Sequence, residues 1–567
     1  MKLFNIKKVH GLFVACGLSL VVPLTSCEDI LETDSDFVMY EKENTLDHAT
    51  DSVYSVLGII SKMQVIADRI VLLGDVRSDL VTTTEAASTD LKRLAAFDNS
   101  EANAYNVPSD YYAVINNCNY FLAHVDTMLE RRGYKVFQSE YAAVKAFRAW
   151  TYLELAKIYG SVPLILEPMM TEIQAREAMN GPRQTLEDIC NYFIADLAPY
   201  VGVNLPDFGS INGRSSRYFF IPMRALLGDL CLWAGRYQDA VAWYHDYLTD
   251  RDEPVGILTS RSTWTNPTEF RTPSISYLGS SDYISCIPME TRVFNGVVSE
   301  LPDIYSSTTD NYYYFQLTAS RALLNLSAAQ NYCMEYRTNE TVDTIYAPKT
   351  GLLLNRFVGD LRFCTVFGQS SYKQEDEFSE YGSTTQTIDK HYSNLVVTYR
   401  AAMLYLRYAE ALNRAGYPQS AFVILKHGAC DEYFTEYVDS VERKQVGSLI
   451  AFDSNIFPKE RALGIHSYGS GDSQIDTTYV LPQPAEKLAS RADTVNWQIP
   501  FVEDIIINEM ALEGMFEGYR YYDLMRVAKR RGDNAYLADP ISRRNGEMDA
   551  ALRDKLMNSE NWYLPLP

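Results

Sequence analysis

Residues 225–248 read ALLGDLCLWAGRYQDAVAWYHDYL. Small and apolar residues recur in this stretch at the spacings of a tetratricopeptide-type repeat, which is a pair of antiparallel helices. The residues at these spacings are Leu227, Gly228, Gly235, Tyr237, Ala240 and Tyr244. Small side chains allow two helices to approach each other closely. The stretch therefore predicts a helical hairpin that packs against further helices.

A second copy of the pattern begins at Met403 and reads MLYLRYAEALNRAGYPQSAFVIL. Gly416 and Ala421 repeat the separation of Gly235 and Ala240. Two partial units do not build a long solenoid, in which each repeat is covered by its neighbours. Other helices must therefore complete the core.

Helical spacing of apolar residues recurs in several other parts of the chain. The segments are 46–63, 111–131, 140–159 and 502–529. A further helix is predicted over 185–197, where Thr185 and Asp188 are suited to cap its first turn. The sequence thus predicts a mostly α-helical, single body.

The middle of the chain, residues 250–395, has no sustained helical periodicity and is rich in Ser, Thr, Tyr, Asn and Pro. An isolated helix or short strand is expected within it, for example over 317–326. Long irregular segments in a compact protein are usually functional or disordered. The aromatic content of this segment argues against disorder. We therefore expect it to carry function.

The first residues have the pattern of an export signal. Three lysines, Lys2, Lys7 and Lys8, precede an uncharged and mostly apolar run from Gly11 to Leu24. A membrane-spanning helix needs about 20 apolar residues, whereas the apolar part of a secretory signal needs about 7 to 15. The run has the length of a signal, and nothing else in the sequence has the pattern of a transmembrane segment.

The signal ends in the tetrapeptide LTSC at residues 24–27, which resembles a bacterial lipobox. In that pattern a peptidase cuts just before the cysteine, whose thiol is acylated. One acyl chain binds a membrane only marginally, whereas two or three give stable attachment. We expect residues 1–26 to be removed and Cys27 to be the lipidated first residue. The alternative is a plain signal peptide with an incidental cysteine.

The composition excludes several classes of protein. The formal net charge is −22, which repels the phosphates of nucleic acids and excludes nucleic-acid binding. Nine cysteines include Cys16 in the signal and Cys27, which leaves seven scattered positions without a CxxC pair. That pattern fits neither a disulfide framework nor a zinc site, so we expect mostly buried thiols.

Motifs of enzymatic chemistry are absent from the sequence. There is no Gly-Lys dipeptide for a phosphate-binding Walker loop, no GxSxG and no HExxH. Residues 469–472, GSGD, are interpreted as a plain turn. Carboxylate pairs for glycoside hydrolysis stay open, because their partners are often remote in sequence.

Charged residues on two predicted helices have helical spacing. Arg407, Glu410 and Arg414 share one helix face, and Asp523 lies three residues before Arg526. They fit either a polar ligand strip or ion pairs that tie helices together, and the second interpretation is favoured.

Five segments, in this order, resemble the SusD/RagB family of nutrient-binding lipoproteins of Bacteroidetes. They are EYAAVKAFRAWTYLELAKIYGSVPLI from Glu140, YLRYAEALNRAG from Tyr405, GIHSYGSGD from Gly464, FEGYRYYDLMR from Phe516 and WYLPLP from Trp562. Each segment alone has low specificity. Their order, together with the lipobox, is specific to the family, and they span nearly the whole chain after the signal.

The resemblance implies a mostly α, SusD-like helical scaffold with tetratricopeptide-like helix pairs and long irregular ligand-binding loops. It divides the chain into a signal peptide (1–26), an N-terminal helical region (27–249), a loop-rich insertion (250–395) and a C-terminal region (396–567). It also implies a lipid-anchored protein on the outer membrane, facing the cell exterior. Such a protein docks on a SusC-like TonB-dependent transporter, is not an enzyme, and needs no cofactor or metal.

The ligand implied by the resemblance is an oligosaccharide or a peptide, and the oligosaccharide is the first choice. A surface hydrolase of the same glycans is the less favoured alternative. We place the ligand site on loops from about 260 to 315, joined by the loop over 82–99. The candidate contacts are Trp264, Tyr283, Tyr305, Tyr312 and Tyr313. Each is suited either to stack on a ligand or to anchor its loop.

Overall fold

Helices form most of the described residues in the computed structural model. The described residues are 49–211, 213–250, 282–289, 297–306, 315–330, 332–337, 342–347, 360–366, 388 and 390–566. Cys27, Trp264, Tyr312 and Tyr313 lie outside these ranges, as does the signal. The predictions made for those residues are therefore taken up below as proposals.

The helices of the N-terminal half are α1 (Ala49–Asp75), α2 (Thr89–Ala95), α3 (Pro108–His124), α4 (Gln138–Tyr159), α5 (Glu172–Met179), α6 (Leu186–Leu197), α7 (Met223–Trp233) and α8 (Tyr237–Leu248). Those that follow are α9 (Leu301–Tyr305), α10 (Arg321–Ala328), α11 (Leu361–Val366), α12 (Ala401–Arg414), α13 (Pro418–Lys426), α14 (Asp431–Tyr437), α15 (Ser440–Val446), α16 (Ser467–Ser470), α17 (Arg491–Glu513), α18 (Arg520–Arg531), α19 (Ala535–Ser542) and α20 (Ala550–Leu556).

The described strands are short and pair in twos, all antiparallel. The pairs are β1 (Val81–Thr83) with β9 (Leu317–Ala319), β2 (Glu130–Arg131) with β3 (Tyr134–Lys135), β4 (Ser161–Pro163) with β5 (Arg183–Thr185), β6 (Ser210–Ile211) with β7 (Arg214–Ser215), β8 (Tyr283–Pro288) with β12 (Leu395–Arg400), and β10 (Tyr332–Arg337) with β11 (Val342–Ala347). The mostly α fold class is confirmed.

The two repeat-like stretches form the predicted helix pairs, α7 with α8 and α12 with α13. At Gly228 the helices are so close that a Cβ atom would lie 2.4 Å from the ring of Tyr244. The α8 and α12 helices also contact each other, so the two pairs form one layered body. The small residues therefore act as the sequence predicted.

The cap of α6 forms as predicted. The Thr185 side chain accepts a hydrogen bond from the Asp188 backbone NH, and the Asp188 carboxylate accepts one from the Thr185 NH. The predicted helix over 111–131 is shorter than expected. It ends at His124, and residues 130–135 form the β2–β3 hairpin around Gly133, which has a φ of 81°.

The prediction of one continuous helix over 502–529 is wrong. The structure has α17, which ends at Glu513, and α18, which begins at Arg520. Between them Phe516 has a φ of 62° and Gly518 a φ of 79°, and neither value is compatible with a helix. The apolar spacing continues across the break, which is why periodicity alone did not reveal it.

Gly518 lies directly against α1, which explains this break. A Cβ atom at residue 518 would lie 2.7 Å from the Cα atom of Val71, and one at Gly74 would lie 1.8 Å from the Gly518 carbonyl oxygen. The two backbones therefore meet without side chains between them. Gly518 therefore permits both the close packing against α1 and the turn between α17 and α18.

The core of the described residues is one continuous cluster that runs from α1 to the C-terminal tail. It includes all the long helices, and residues 45–567 form one compact unit. The boundaries predicted at 249 and 395 stay predictions. The interpretation of residues 469–472, GSGD, as a plain turn is wrong for its first half, because Gly469 and Ser470 are the last two residues of α16. The chain leaves the helix at Gly471, which has a φ of 79°.

Candidate functional site

Two of the five aromatic residues that were predicted to bind the ligand, Tyr283 and Tyr305, lie within the described residues. Tyr283 begins β8, and Tyr305 ends α9. Tyr283 is half-buried, and burial raises its pKa to about 12, against the opposing effect of a hydrogen bond with Arg214. Part of the Tyr283 side chain is thus open to solvent beside a cation.

Tyr305 is enclosed by protein, with an exposed fraction of 0%. Its hydroxyl donates a hydrogen bond of 2.6 Å to the carboxylate of Asp75, and its ring stacks on His391 at 5.0 Å between centroids. Asp75 also accepts a bond from the Gly518 NH at 2.9 Å. In this structure Tyr305 links its loop to α1, and its role in ligand binding stays a prediction.

The Asp75 carboxyl is the centre of this link, and its environment favours the protonated form. Burial raises its pKa to about 7, although the hydrogen bonds from Tyr305 and Gly518 and the charge of Lys390 oppose the rise. The group is therefore neutral over much of the acidic range. A neutral carboxyl at this position avoids a buried, incompletely compensated charge.

Residues 82–99, which we expected to form a loop that joins the ligand site, contain the end of β1 and the helix α2 and lie beside the end of the 260–315 segment. The β1–β9 pairing holds Val81–Thr83 against Leu317–Ala319. Thr84 NH donates to the Gln316 carbonyl at 2.9 Å, and Ser88 NH donates to the Gln316 side chain at 2.8 Å. The two segments that the sequence analysis associated are therefore neighbours.

An ion-pair cluster fastens the strands of the insertion to the helical scaffold. Arg400, at the end of β12, is buried and binds Asp282 at 2.7 Å and Glu513 at 2.9 Å. Asp282 directly precedes β8, and Glu513 is the last residue of α17. The cluster thus fixes one end of the β8–β12 strand pair, at which Tyr283 lies opposite Arg400.

An open cleft of about 940 Å³ lies elsewhere on the surface. Four parts of the chain line it: the end of the 82–99 segment, the β4–β5 strand pair with the adjoining ends of α4 and α6, the end of α18, and the C-terminal tail. The lining residues are Asn99, Tyr159, Gly160, Ser161, Arg183, Thr185, Leu186, Glu187, Lys529, Glu560, Asn561, Tyr563, Leu564, Pro565 and Leu566. Its volume is in the range of small-molecule sites, about 300–1,000 Å³.

Tyr563 is the aromatic residue of the cleft that keeps partial exposure, and its ring is held on two sides. One face lies over Gly160, where a Cβ atom would be 3.0 Å from the ring atoms Cγ and Cδ1. Its hydroxyl accepts a hydrogen bond of 3.0 Å from Lys529 Nζ. The backbone on either side is fixed, since Leu564 NH donates to the Ile158 carbonyl and Tyr521 donates to the Trp562 carbonyl.

The polar groups of the cleft are exposed and balanced in charge. Two cations, Arg183 and Lys529, accompany two carboxylates, Glu187 and Glu560. The side chains of Asn99, Arg183 and Glu187 form no hydrogen bond with other residues in the described ranges. They are available to a ligand.

The sequence does not predict this cleft. The segment WYLPLP gives no indication of a role for Tyr563, and nothing in the sequence relates that tail to Asn99 or Arg183. The one available signal was the glycine after α4, since Gly160 has a φ of 75° and ends the helix where the ring lies. A glycine at a helix end has a simpler explanation, however, so this signal did not indicate a site.

The charged rows on α12 and α18 are ion pairs, as predicted. Glu410 is buried and accepts two hydrogen bonds from Arg526, at 3.0 and 2.6 Å, and Arg526 also bonds Asp523 at 2.8 Å. Arg407 binds Asp229 at 2.9 Å, and Arg414 pairs with Glu410 at 3.4 Å. These side chains hold helices together rather than forming a ligand strip.

No group of three or more His, Cys, Asp or Glu side chains suited to a metal ion occurs in the described part of the chain. Five cysteines there are buried and unpaired: Cys118, Cys190, Cys231, Cys286 and Cys430. Within the same residues, none of the helices combines the length and the apolar character required to cross a bilayer.

No protein-family model matches the sequence, and no curated protein matches it. Solved structures do match. A SusD superfamily protein from Bacteroides vulgatus ATCC 8482 is similar over 92% of this chain and 96% of its own, with a TM-score of 0.57 and 13% sequence identity. A surface glycan-binding protein A from Bacteroides uniformis is similar over 91% and 96%, with a TM-score of 0.53 and 14% identity.

A SusD-like carbohydrate-binding protein from Bacteroides fragilis NCTC 9343 is similar over 86% of this chain and 87% of its own, with a TM-score of 0.52 and 14% identity. At these identities the likeness concerns the fold. The chain has the SusD-like fold along nearly its whole length, as the resemblance of the five sequence segments implied.

Proposed function

We propose that this protein is a cell-surface lipoprotein that captures an oligosaccharide and delivers it to a SusC-like TonB-dependent transporter of the outer membrane. The observation that carries the proposal is the SusD-like fold over 92% of the chain. Two of the similar structures are described as a carbohydrate-binding and a glycan-binding protein. The lipobox at Cys27 and the ordered SusD/RagB segments support the same function.

The anchor in this proposal is the acylated thiol of Cys27. Two or three acyl chains on this residue hold the folded body at the outer membrane, facing the exterior. The chain from Cys27 to the start of α1 at Ala49 then serves as a tether. In an extended conformation such a segment spans several tens of ångströms, enough for a folded body to sit on a neighbouring transporter.

The first ligand contacts in this proposal are the aromatics of the loop-rich insertion. These contacts are Trp264, Tyr312 and Tyr313 together with the half-buried Tyr283, while the enclosed Tyr305 anchors its loop to α1. Aromatic rings stack on the C–H faces of sugars, and each such contact contributes on the order of 1 kcal/mol beyond area burial. Two or three of them give micromolar to millimolar binding, which is suited to a ligand that is passed on.

A peptide ligand is the second candidate, because the same aromatic loops suit extended peptides. A surface glycan hydrolase is a weaker third candidate. Its support is limited to the many carboxylates of the sequence, which leave a pair for glycoside hydrolysis open. The comparison with carbohydrate-binding proteins favours the oligosaccharide and a role in binding rather than in catalysis.

One experiment separates the three candidates. The purified protein is applied to arrays of neutral oligosaccharides and of peptides, and each oligosaccharide that binds is then incubated with it and analysed for products. We expect saturable oligosaccharide binding without products. Binding of peptides alone overturns the oligosaccharide assignment, and new reducing ends establish a hydrolase.

The transporter partner is tested separately. Extraction of the native membrane in mild detergent and pull-down of this chain are expected to recover a large β-barrel protein in comparable amount. Recovery of the chain alone at native expression contradicts a stable complex.

A further inference from the structure

We propose that the cleft around Tyr563 is a binding site for a neutral oligosaccharide, with one sugar ring on Tyr563 and adjacent hydroxyls bonded by Asn99, Arg183 and Glu187. This inference deepens the proposed function, on which it rests. It assigns a role to a surface that lies apart from the Tyr283 and Tyr305 loop anchors.

The ring of Tyr563 is held in a fixed orientation. A stacking platform must keep its orientation without a ligand, because ordering a mobile ring on binding costs affinity. The ring of Tyr563 is supported from below by the Gly160 backbone and at its hydroxyl by Lys529. The tail that carries it is hydrogen-bonded to α4 and α18. The residue is therefore a preorganised and partly exposed aromatic plane.

The polar side chains around this aromatic plane are of the kinds that bind sugar hydroxyls. Guanidinium groups present two donors, carboxylates two acceptors and amides one of each side by side, which suits two neighbouring sugar hydroxyls. One group of each kind is present: Asn99 in the loop after α2, Arg183 in β5 and Glu187 in the first turn of α6. Their side chains are exposed and make no hydrogen bond inside the described part of the chain.

The charge and the size of the cleft favour a neutral oligosaccharide of several sugar units. The two cations and two carboxylates of the lining compensate each other, while the whole chain carries a net charge of −22. Such a site does not concentrate polyanions, so a neutral glycan is favoured over a sulfated or uronic one. A volume of about 940 Å³ accommodates several sugar units rather than one.

Three variants of the full chain test the site. Tyr563→Ala removes the ring, Tyr563→Phe keeps the ring without its hydroxyl, and Asn99→Ala removes one exposed amide. Tyr134→Ala is the matched control, because this tyrosine is 79% exposed on the β2–β3 hairpin, outside the cleft. Isothermal titration calorimetry with a neutral oligosaccharide from the array measures binding, and thermal unfolding monitors the fold.

We expect Tyr563→Ala to weaken binding about five- to tenfold and Asn99→Ala about two- to fivefold, as lost stacking and hydrogen-bonding predict. Tyr563→Phe and Tyr134→Ala keep the parent affinity within about twofold. Asn99→Ala is expected to keep the fold, because the Asn99 side chain makes no hydrogen bond within the described structure. A loss of binding in this variant therefore does not result from misfolding. A sulfated oligosaccharide of similar length is expected to bind more weakly than the neutral one.

Different failures have different meanings. If the parent binds no oligosaccharide, neutral or charged, the proposed function itself is wrong, and if it binds only charged ones, the function stands and the cleft assignment is overturned. If the parent binds a neutral oligosaccharide and Tyr563→Ala and Asn99→Ala bind it equally well, while Trp264→Ala or Tyr283→Ala does not, the proposed function stands and the cleft assignment is overturned. If the cleft variants lose binding of a peptide but keep binding of the oligosaccharide, the cleft assignment is also overturned.

Discussion

At the scale of single residues, the buried Asp75 links three parts of the molecule. It is the last residue of α1, and it accepts hydrogen bonds from Tyr305 of the insertion and from the backbone of Gly518. Burial raises its pKa to about 7, above the ordinary value of 3.8. A raised pKa means that the folded state binds the proton more tightly than the unfolded state. The contribution of Asp75 to stability is therefore complete below about pH 4 and is lost as the pH rises towards 7.

We predict that Asp75→Asn changes the pH dependence of stability rather than stability alone. The free energy of unfolding of the parent falls relative to the variant between about pH 4 and pH 7, by roughly 4 kcal/mol at most. Urea unfolding of both proteins at several pH values measures the difference. Asp554→Asn, at an exposed site, is the control. A parent–variant difference that is constant across this range contradicts the assignment.

The close contact of Gly518 with α1 leads to a second prediction at this scale. Gly518→Ala meets both a positive φ of 79° and the backbone of Val71 at 2.7 Å. We expect it to lower the free energy of unfolding by roughly 3 kcal/mol or more. Gly532→Ala is the matched control, because Gly532 has a φ of 62° with no atom within 4 Å.

The control variant isolates the cost of the backbone conformation, about 1–2 kcal/mol. Urea midpoints of the two variants measure both effects. Equal losses for Gly518→Ala and Gly532→Ala would mean that the contact with α1 yields easily, contrary to this account.

At the scale of elements, helices were predictable where apolar spacing and local caps agree. The α7–α8 and α12–α13 pairs and the capping box of α6 follow from residues that are neighbours in sequence. The break between α17 and α18 was not predictable, because its cause is the contact of Gly518 with α1, more than 400 residues away in the chain. Periodicity records which residues face a core, and it does not record where a distant backbone approaches.

The ion pairs between α12 and α18 are predicted to stabilise the scaffold strongly. Glu410→Gln leaves Arg526 partly uncompensated in a buried position, since the Glu410 side chain has an exposed fraction of 0%. We expect a loss of about 3–5 kcal/mol in the free energy of unfolding. Chemical unfolding monitored by circular dichroism measures it.

Glu172→Gln is the matched control for this pair. Glu172 binds Arg176 at 2.7 Å, but its side chain is 84% exposed, so the change is expected to cost less than about 0.5 kcal/mol. Similar losses for Glu410→Gln and Glu172→Gln contradict the view that the buried pair holds the two helices together.

At the scale of the whole molecule, the fold class followed from the sequence and much of the site did not. The order of five family-like segments predicted the SusD-like fold, which the similar solved structures confirm. The cleft could not be predicted, because Asn99, Arg183 and Tyr563 become neighbours only through tertiary packing. The β1–β9 pairing agrees with the expected association of the 82–99 loop with the insertion.

The proposed anchor gives a prediction for the whole cell. Cys27→Ala is expected to release the protein from the membrane fraction and to abolish its labelling by a fatty-acid analogue, because no acyl chain then holds it. Fractionation followed by immunoblotting measures the change, with Cys16→Ala as the control. A Cys27→Ala protein that stays acylated and membrane-bound means that the anchor lies elsewhere.

The most direct test of the central claim is oligosaccharide capture by intact cells. A fluorescent derivative of the neutral oligosaccharide selected on the array is incubated with cells that produce the parent chain, with cells from which it is deleted, and with cells that produce Cys27→Ala. We predict saturable surface label with the parent alone, at micromolar to millimolar half-saturation. If deleted cells retain as much label as parent cells, this protein does not capture the oligosaccharide, and the account is contradicted.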